Sequence, residues 1–134
     1  MATVTKFEEL DIWQLARELA NEIFELFNTS KGFLRDFKLR DQINGSSSSI
    51  MDNIAEGFER GGRNEFINFL TYSKGSAGEV KSQLYRALDR KYIIQEQFDH
   101  LYNKADIIGK KTGSFINYLN TSEHKGTKFK NRKP

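Results

Sequence analysis

Four long segments of this chain repeat apolar residues every three or four positions, and no proline interrupts them because the only proline is Pro134. This spacing places apolar side chains on one face of an α-helix, which an internal proline would break. The segments cover about residues 10–27, 36–60, 64–90 and 95–119, and the connections between them are short. Consecutive helices with short connections pack antiparallel. The sequence therefore predicts an all-α fold, an up-down-up-down antiparallel four-helix bundle, in residues 1–120.

The second segment contains Gly45 followed by four serines, a composition that is also found in flexible linkers. The apolar stripe nevertheless keeps its helical phase from Ile43 to Ile50, which a linker would have no reason to do. Small side chains allow another helix to approach closely, and residues 75–78 of the third segment form a second window of small residues. We therefore expect a continuous helix whose residues 46–49 pack against residues 75–78.

The connections carry glycines and polar residues. Residues 28–32 predict a helix stop and a loop, in which Gly32 is free to adopt a positive φ. The pair Gly61 and Gly62 predicts the end of the second helix, and Asn64 is the expected cap of the third.

Length and composition narrow the class of protein. A chain of 134 residues is expected to form one domain. It has no cysteine, which excludes disulfides, thiolate metal sites and cysteine nucleophiles. No apolar run is long enough to span a bilayer, and residues 1–6 lack the basic-then-apolar order of a signal peptide. A cytoplasmic protein without membrane contact is the expectation.

The net charge of +3 is unevenly distributed along the chain. Residues 121–134 hold five basic residues against one glutamate, so they carry +4 and the remaining residues about −1. This polar, nonperiodic end predicts a disordered basic tail. It either binds nucleic acid or is a solvated terminus. The basic residues are Lys125, Lys128, Lys130, Arg132 and Lys133.

The residue patterns of common enzymes are missing from the sequence. His100 and His124 have no evident carboxylate or metal partner, and the chain contains no Glu-x-x-His pair, nucleophile elbow or phosphate-binding loop. We therefore expect no enzymatic activity, cofactor or metal.

One cluster of polar residues follows the serines. Glu56 and Arg60 have the spacing of a helical ion pair, and Asn53 precedes them by one turn. One interpretation is a structural polar network of Asn53, Glu56, Arg60 and Glu79. The other is an anion site in which Arg60, Arg63 and the start of the third helix bind phosphate, so both arginines are candidate nucleic-acid ligands.

Several short motifs occur in a characteristic order. They are the opening FEELDIWQLA at residues 7–16, Gln42, the pair Ser49 and Ile50, NIAEG at residues 53–57, Arg60, Glu65 and Phe66, Phe69 and Leu70, GSA at residues 75–77, and Glu79. Together they resemble the four-helix-bundle family encoded in intervening sequences of bacterial 23S ribosomal RNA genes. The resemblance covers about residues 7–119. It also extends to the accessory variability determinant of diversity-generating retroelements.

The resemblance implies a small bacterial bundle that assembles as a homopentamer, associates with RNA or other nucleic acid, and has no established enzymatic activity. Self-association is also expected from the number of aromatic residues, which exceeds what four helices readily bury. The surplus consists of Trp13, Phe24, Phe27, Phe33, Phe37, Tyr72 and Tyr85. The predicted function is therefore binding of RNA, of other nucleic acid or of an RNA-protein assembly by a homo-oligomer. The alternative is an oligomeric scaffold for protein partners without nucleic-acid contact.

Overall fold

The computed structural model describes residues 4–121. A short 3₁₀ turn, Phe7–Glu9, leads into five α-helices. These are α1 (Asp11–Thr29), α2 (Lys31–Arg35), α3 (Phe37–Arg60), α4 (Arg63–Asp89) and α5 (Gln95–Thr121). No helix within residues 4–121 combines the length and the hydropathy needed for a bilayer span.

The four long helices form a ring in which neighbours along the chain are also neighbours in space. Helix α3 packs against α1 and α4, and α5 closes the ring between α4 and α1. Because each connection is short, successive long helices run antiparallel. The predicted all-α, up-down-up-down four-helix bundle is therefore confirmed.

The apolar stripes of the sequence meet in one core. The second stripe is fully buried, from Leu39 and Ile43 through Ile50 to Ile54 and Phe58. The third and fourth stripes are buried at Phe66, Leu70, Leu84, Ala105 and Ile108, among other positions. Unbroken burial along α3 confirms that the serine-rich stretch is helix rather than linker.

The serines of α3 contact small and polar residues of α4. Ser73 Oγ donates to the Ile50 carbonyl at 2.7 Å, and Ser76 Oγ donates to Ser49 Oγ at 3.0 Å. Ser46 Oγ donates to Gln83 Oε1 in the same interface. These bonds satisfy polar groups that close packing removes from water. The predicted pairing of the two windows is thus confirmed for their serines.

The glycines of the second window do not take part in this packing. A Cβ built at Gly75 or Gly78 would meet no atom within 4 Å. Close approach occurs instead at Gly57, where a Cβ would lie 2.6 Å from the Cβ of Phe69. The prediction was therefore wrong about which glycine admits the neighbouring helix.

The predicted loop at residues 28–32 is largely helical. Helix α1 continues to Thr29, and Gly32 lies within α2, whose start is capped by Ser30 Oγ accepting from the Phe33 amide. A helical Gly32 has no positive φ. Within residues 4–121, a positive φ occurs at Gly61 (86°), where α3 ends as predicted, and at Lys91 (63°). Asn64 is not the cap of α4, because Gly62 occupies that position.

Asp36 links the start of α3 to the turn between α4 and α5. Its Oδ1 accepts from the Leu39 amide at 3.2 Å. Its Oδ2 accepts from Arg90 Nη1 at 2.7 Å and from the Tyr92 hydroxyl at 2.8 Å. One carboxylate therefore caps a helix and holds a distant turn.

The surplus aromatic residues divide into two groups. Phe27 and Phe33 are buried and Trp13 is partly buried. Phe24, Phe37, Tyr72 and Tyr85 are each at least half exposed. Four large rings thus remain on the surface of one copy of the chain.

Candidate nucleic-acid interface

Arg60 lies at the end of α3, beside two carboxylates. Its guanidinium donates to Glu56 at 2.9 Å and lies 3.6 Å from Glu65, and it covers the ring of Phe69 at 5.1 Å. The hydrogen bond to Glu56 is the main reason that the pKa of Arg60 is raised above its ordinary value. An arginine whose charge is shared with two carboxylates is a weak ligand for phosphate.

The other predicted residues of this region are Arg63 and Asn53. Arg63 is the partly buried first residue of α4, next to Asn64 and Glu65. Asn53 Nδ2 donates to the carbonyl and hydroxyl oxygens of Ser49, at 2.9 and 2.8 Å, and so joins the serine interface.

Glu79 is exposed on α4, and its side chain forms no hydrogen bond or ion pair with any residue from 4 to 121. The structure therefore joins Glu56 with Arg60, while Asn53 and Glu79 lie outside that pair. The tail residues Lys125, Lys128, Lys130, Arg132 and Lys133 lie outside the described residues. Thr121, the first residue of the predicted tail, is the last residue of α5.

A basic groove that sequence reasoning missed runs between α4 and α5. It has a volume of about 190 Å³ and contains three lysines, Lys74 and Lys81 from α4 and Lys110 from α5. Its other lining residues are Ala77, Gly78, Ala105, Asp106 and Gly109. We call this site the lysine groove.

Positive charges outnumber negative charges in the lysine groove. Asp106 receives a hydrogen bond from Lys81 at 2.8 Å and an ion pair from Lys110 at 2.9 Å. The hydrogen bond to Asp106 raises the pKa of Lys81. The pKa of Asp106 is lowered in turn, mainly by the hydrogen bond from Lys81 and then by that from Lys110. Lys74 has no ion-pair partner among residues 4–121. The groove thus contains three cations and one carboxylate, a net charge of +2.

The seam between α1 and α5 differs because its cations are matched by acids. Lys104 contacts Glu18 at 3.1 Å and Glu22 at 2.9 Å, and His100 contacts Glu22 at 3.1 Å. Burial alone would raise the pKa of Glu22, but hydrogen bonds from Lys104 and His100 bring it below its ordinary value. This seam ties two helices together without an excess of positive charge.

A larger groove of about 400 Å³ lies between the start of α1 and α5. Leu10, Ile12 and Phe115 give it an apolar wall, and Lys111 pairs with Asp11 at 3.0 Å across it. Lys110 lies at its edge as well. The matched pair leaves this groove less suited to an anion than the lysine groove.

The lysine groove has a weak signal in the sequence. Lys74 and Lys81 are seven residues apart and so share one face of a helix, with Gly78 between them. Lys110 follows Gly109 on another helix. Only the rotation of α5 about its axis brings Lys110 to that face of α4, and periodicity alone does not set this rotation.

Comparisons with known proteins agree with the fold. The family described as 23S rRNA-intervening sequence protein matches residues 8–114. A similar solved structure is that of a protein of unknown function from the S23 ribosomal protein family of Bacteroides thetaiotaomicron. It is 29% identical with a TM-score of 0.70, over 78% of this chain and 97% of that one. No curated protein matches the chain significantly.

Proposed function

Because the chain belongs to the 23S rRNA-intervening sequence protein family, we propose that it is a non-enzymatic, self-associating four-helix bundle that binds RNA. The similar protein from Bacteroides thetaiotaomicron has no known function. The proposal therefore relies on the chemistry of this chain's own surface.

The observation that carries the proposal is the lysine groove. Residues 1–120 carry about −1 in total, yet Lys74, Lys81 and Lys110 line one groove that contains a single carboxylate. Phosphate groups dominate the affinity of proteins for nucleic acids, and clustered lysines are their usual ligands. The five basic tail residues would add attraction of the same sign, whereas Arg60 would contribute less because Glu56 and Glu65 lie beside its guanidinium.

Self-association is the second part of the proposal. Phe24 and Phe37 are 55% and 63% exposed, and rings this exposed are frequent where subunits meet. The resemblance noted in the sequence favours a homopentamer. The proposed location is the cytoplasm, and the proposal requires no cofactor, metal or membrane.

The alternative function is an oligomeric scaffold for protein partners without nucleic-acid contact. The same exposed rings favour it, since an apolar surface fits a protein partner as well as a second copy. The two functions differ in their response to salt, because counterion release weakens phosphate contacts but not apolar ones.

The test is binding of a structured RNA and of duplex DNA by the full chain at several salt concentrations. Between about 50 and 200 mM salt we expect affinity for RNA to fall about tenfold or more. The double variant Lys74→Gln, Lys110→Gln should bind about tenfold more weakly at low salt and show a shallower salt dependence.

The control is Lys31→Gln, Lys38→Gln, which removes the same charge from two exposed lysines on α2 and α3, away from the groove. It should bind nearly as well as the wild type. If the wild type shifted neither RNA nor DNA at low salt, the scaffold would become the better account.

A further inference from the structure

The floor of the lysine groove lies closer to the helix backbones than an ordinary helix surface does, because its residues are small. Buried Ala77 and Ala105 form its base, and Gly78 and Gly109 stand where longer side chains would fill it. A Cβ at Gly78 would meet nothing within 4 Å, so the packing of one chain does not require glycine there. Without side chains at these points, a ligand can approach the helix backbones closely.

The lysines are spread along this floor, because Lys81 and Lys110 meet at Asp106 and Lys74 lies further along the groove. Lys74 and Lys81 are seven residues apart, which is about 10 Å along the axis of α4. Lys110 reaches the same groove from the opposite helix. Charges spaced along a groove fit a chain of phosphates better than a single small anion.

An aromatic cluster that includes Tyr85 lies beyond Lys81, outside the lining of the groove. Tyr85 follows one helical turn later and is 50% exposed. Its ring lies 4.8 Å from that of Phe98 and 5.8 Å from that of Tyr102, and Lys81 Nζ lies 4.9 Å from the Tyr102 ring. The rings of Phe98 and Tyr102 therefore hold the Tyr85 ring in place, while half of the side chain stays exposed to solvent. A stacking platform requires both.

We propose that the lysine groove binds a single-stranded RNA segment, with phosphates on Lys74, Lys81 and Lys110 and a base stacked on Tyr85. This inference rests on the proposed RNA binding and specifies the form of RNA. Single-strand sites combine a basic groove that follows the backbone with aromatic rings that receive bases. In a duplex the bases are already stacked on one another and are not presented to such a ring.

The test measures binding of the full chain to a labelled, unstructured RNA of about 12 nucleotides and to a hairpin duplex of similar length, by fluorescence polarisation. The wild type should prefer the single strand. Tyr85→Ala should weaken single-strand binding about tenfold and affect the duplex little, because it removes one stacked base. Tyr85→Phe should restore most of the affinity.

Tyr72→Ala is the matched control, since Tyr72 is on the same helix, is 60% exposed, and lies 5.9 Å from another ring, that of Phe69. It should bind single-stranded RNA like the wild type. Equal losses in the two alanine variants, or no loss in Tyr85→Ala, would overturn the inference. Binding of duplex but not of single strands would also overturn it while leaving RNA binding intact.

A second variant tests the groove without removing an aromatic ring. Gly78→Leu should fold, because the position is open and leucine favours helix, yet its side chain would occupy the floor. We expect single-strand binding to fall at least about fivefold with unchanged net charge. Wild-type affinity in this variant would place the strand elsewhere, and no RNA binding by the wild type would remove both proposals.

Discussion

Two glycines show how strongly the role of one residue depends on its surroundings. Gly57 is buried on α3 where Phe69 and Phe66 of α4 approach it, and Gly75 is exposed on α4 with open space around it. Glycine in a helix interior costs about 1 kcal/mol relative to alanine. At Gly57 close packing between helices offsets this cost, whereas at Gly75 nothing within residues 4–121 does so.

Gly57→Ala should therefore destabilise the protein despite improving helix propensity. The new methyl carbon would lie 2.6 Å from the Phe69 Cβ and 3.0 Å from Phe66 Cδ1, so α3 and α4 would have to separate. We expect a loss of about 1–3 kcal/mol in the free energy of unfolding. Urea denaturation measures it.

Gly75→Ala is the control and should raise the free energy of unfolding by up to about 1 kcal/mol. The sequence alone predicted that Gly75 packs against the serines, which would make this change destabilising. A loss of stability in Gly75→Ala equal to that in Gly57→Ala would contradict the structure.

At the scale of elements, Asp36 holds two parts of the bundle that are far apart in the chain. Its carboxylate caps α3 and receives hydrogen bonds from Arg90 and Tyr92, which flank Lys91 in its left-handed conformation. The bond from the Tyr92 hydroxyl is the largest cause that lowers the pKa of Asp36, and the Leu39 amide and Arg90 lower it further. The ionised form is therefore the one that the fold stabilises.

This arrangement predicts a specific dependence of stability on pH. Because the folded pKa is below the unfolded value of about 4, the stabilisation is present above pH 4 and is lost as pH falls through the folded pKa. Asp36→Asn should cost about 1–2 kcal/mol at pH 7 and should lose less stability than the wild type between pH 7 and 3. Urea midpoints at the two pH values measure both effects.

Asp41→Asn is the companion control, because the Asp41 side chain is 69% exposed and pairs only with neighbouring Arg40 among residues 4–121. It should follow the wild type closely at both pH values. If Asp36→Asn lost as much stability on acidification as the wild type, Asp36 would not be a source of the acid sensitivity.

At the scale of the whole molecule, one end of the bundle has an exposed apolar patch. Phe24 near the end of α1, Leu34 in α2 and Phe37 at the start of α3 are 55%, 43% and 63% exposed. Their elements follow one another at the same end of the bundle. Several large exposed apolar side chains at one end of a small domain are typical of an interface.

We expect Phe24→Ser, Phe37→Ser to reduce self-association, since it removes the two largest side chains of this patch. Sedimentation velocity at micromolar concentration should show the wild type as an oligomer and the variant shifted toward monomer. The control is Tyr72→Ser, which removes an exposed ring from α4, outside this patch. It should leave the oligomer intact. A monomeric wild type would contradict self-association itself.

The bundle was predictable from the sequence because the residue patterns that specify its helices are local. The phase of the apolar stripe passes through the serines without a break, so α3 was expected as one helix from near Asp36 to Arg60, and the structure agrees. The helix stop at Gly61 follows from a residue that adopts a positive φ easily. The short helix α2 was missed because its five residues are too few to show periodicity.

The candidate site was less predictable because it depends on contacts between helices. The sequence left Arg60 either in a polar network with Glu56 or in an anion site, and in the folded chain its guanidinium pairs with Glu56 and lies beside Glu65. Little in the sequence distinguishes three lysines from ordinary surface residues. The packing of α4 on α5 brings Lys74, Lys81 and Lys110 to one groove. Spacing along a helix says which residues share a face, but it does not say which face of the next helix lies opposite.

The sequence by itself thus determined the four amphipathic helices, their order and their antiparallel arrangement, since periodicity and short connections are sufficient for these. Only the tertiary structure decided that Gly57 rather than Gly75 admits the neighbouring helix and that three lysines of two helices line one groove. The physical reason is that the rotation of each helix about its own axis is set by the packing of all core side chains together.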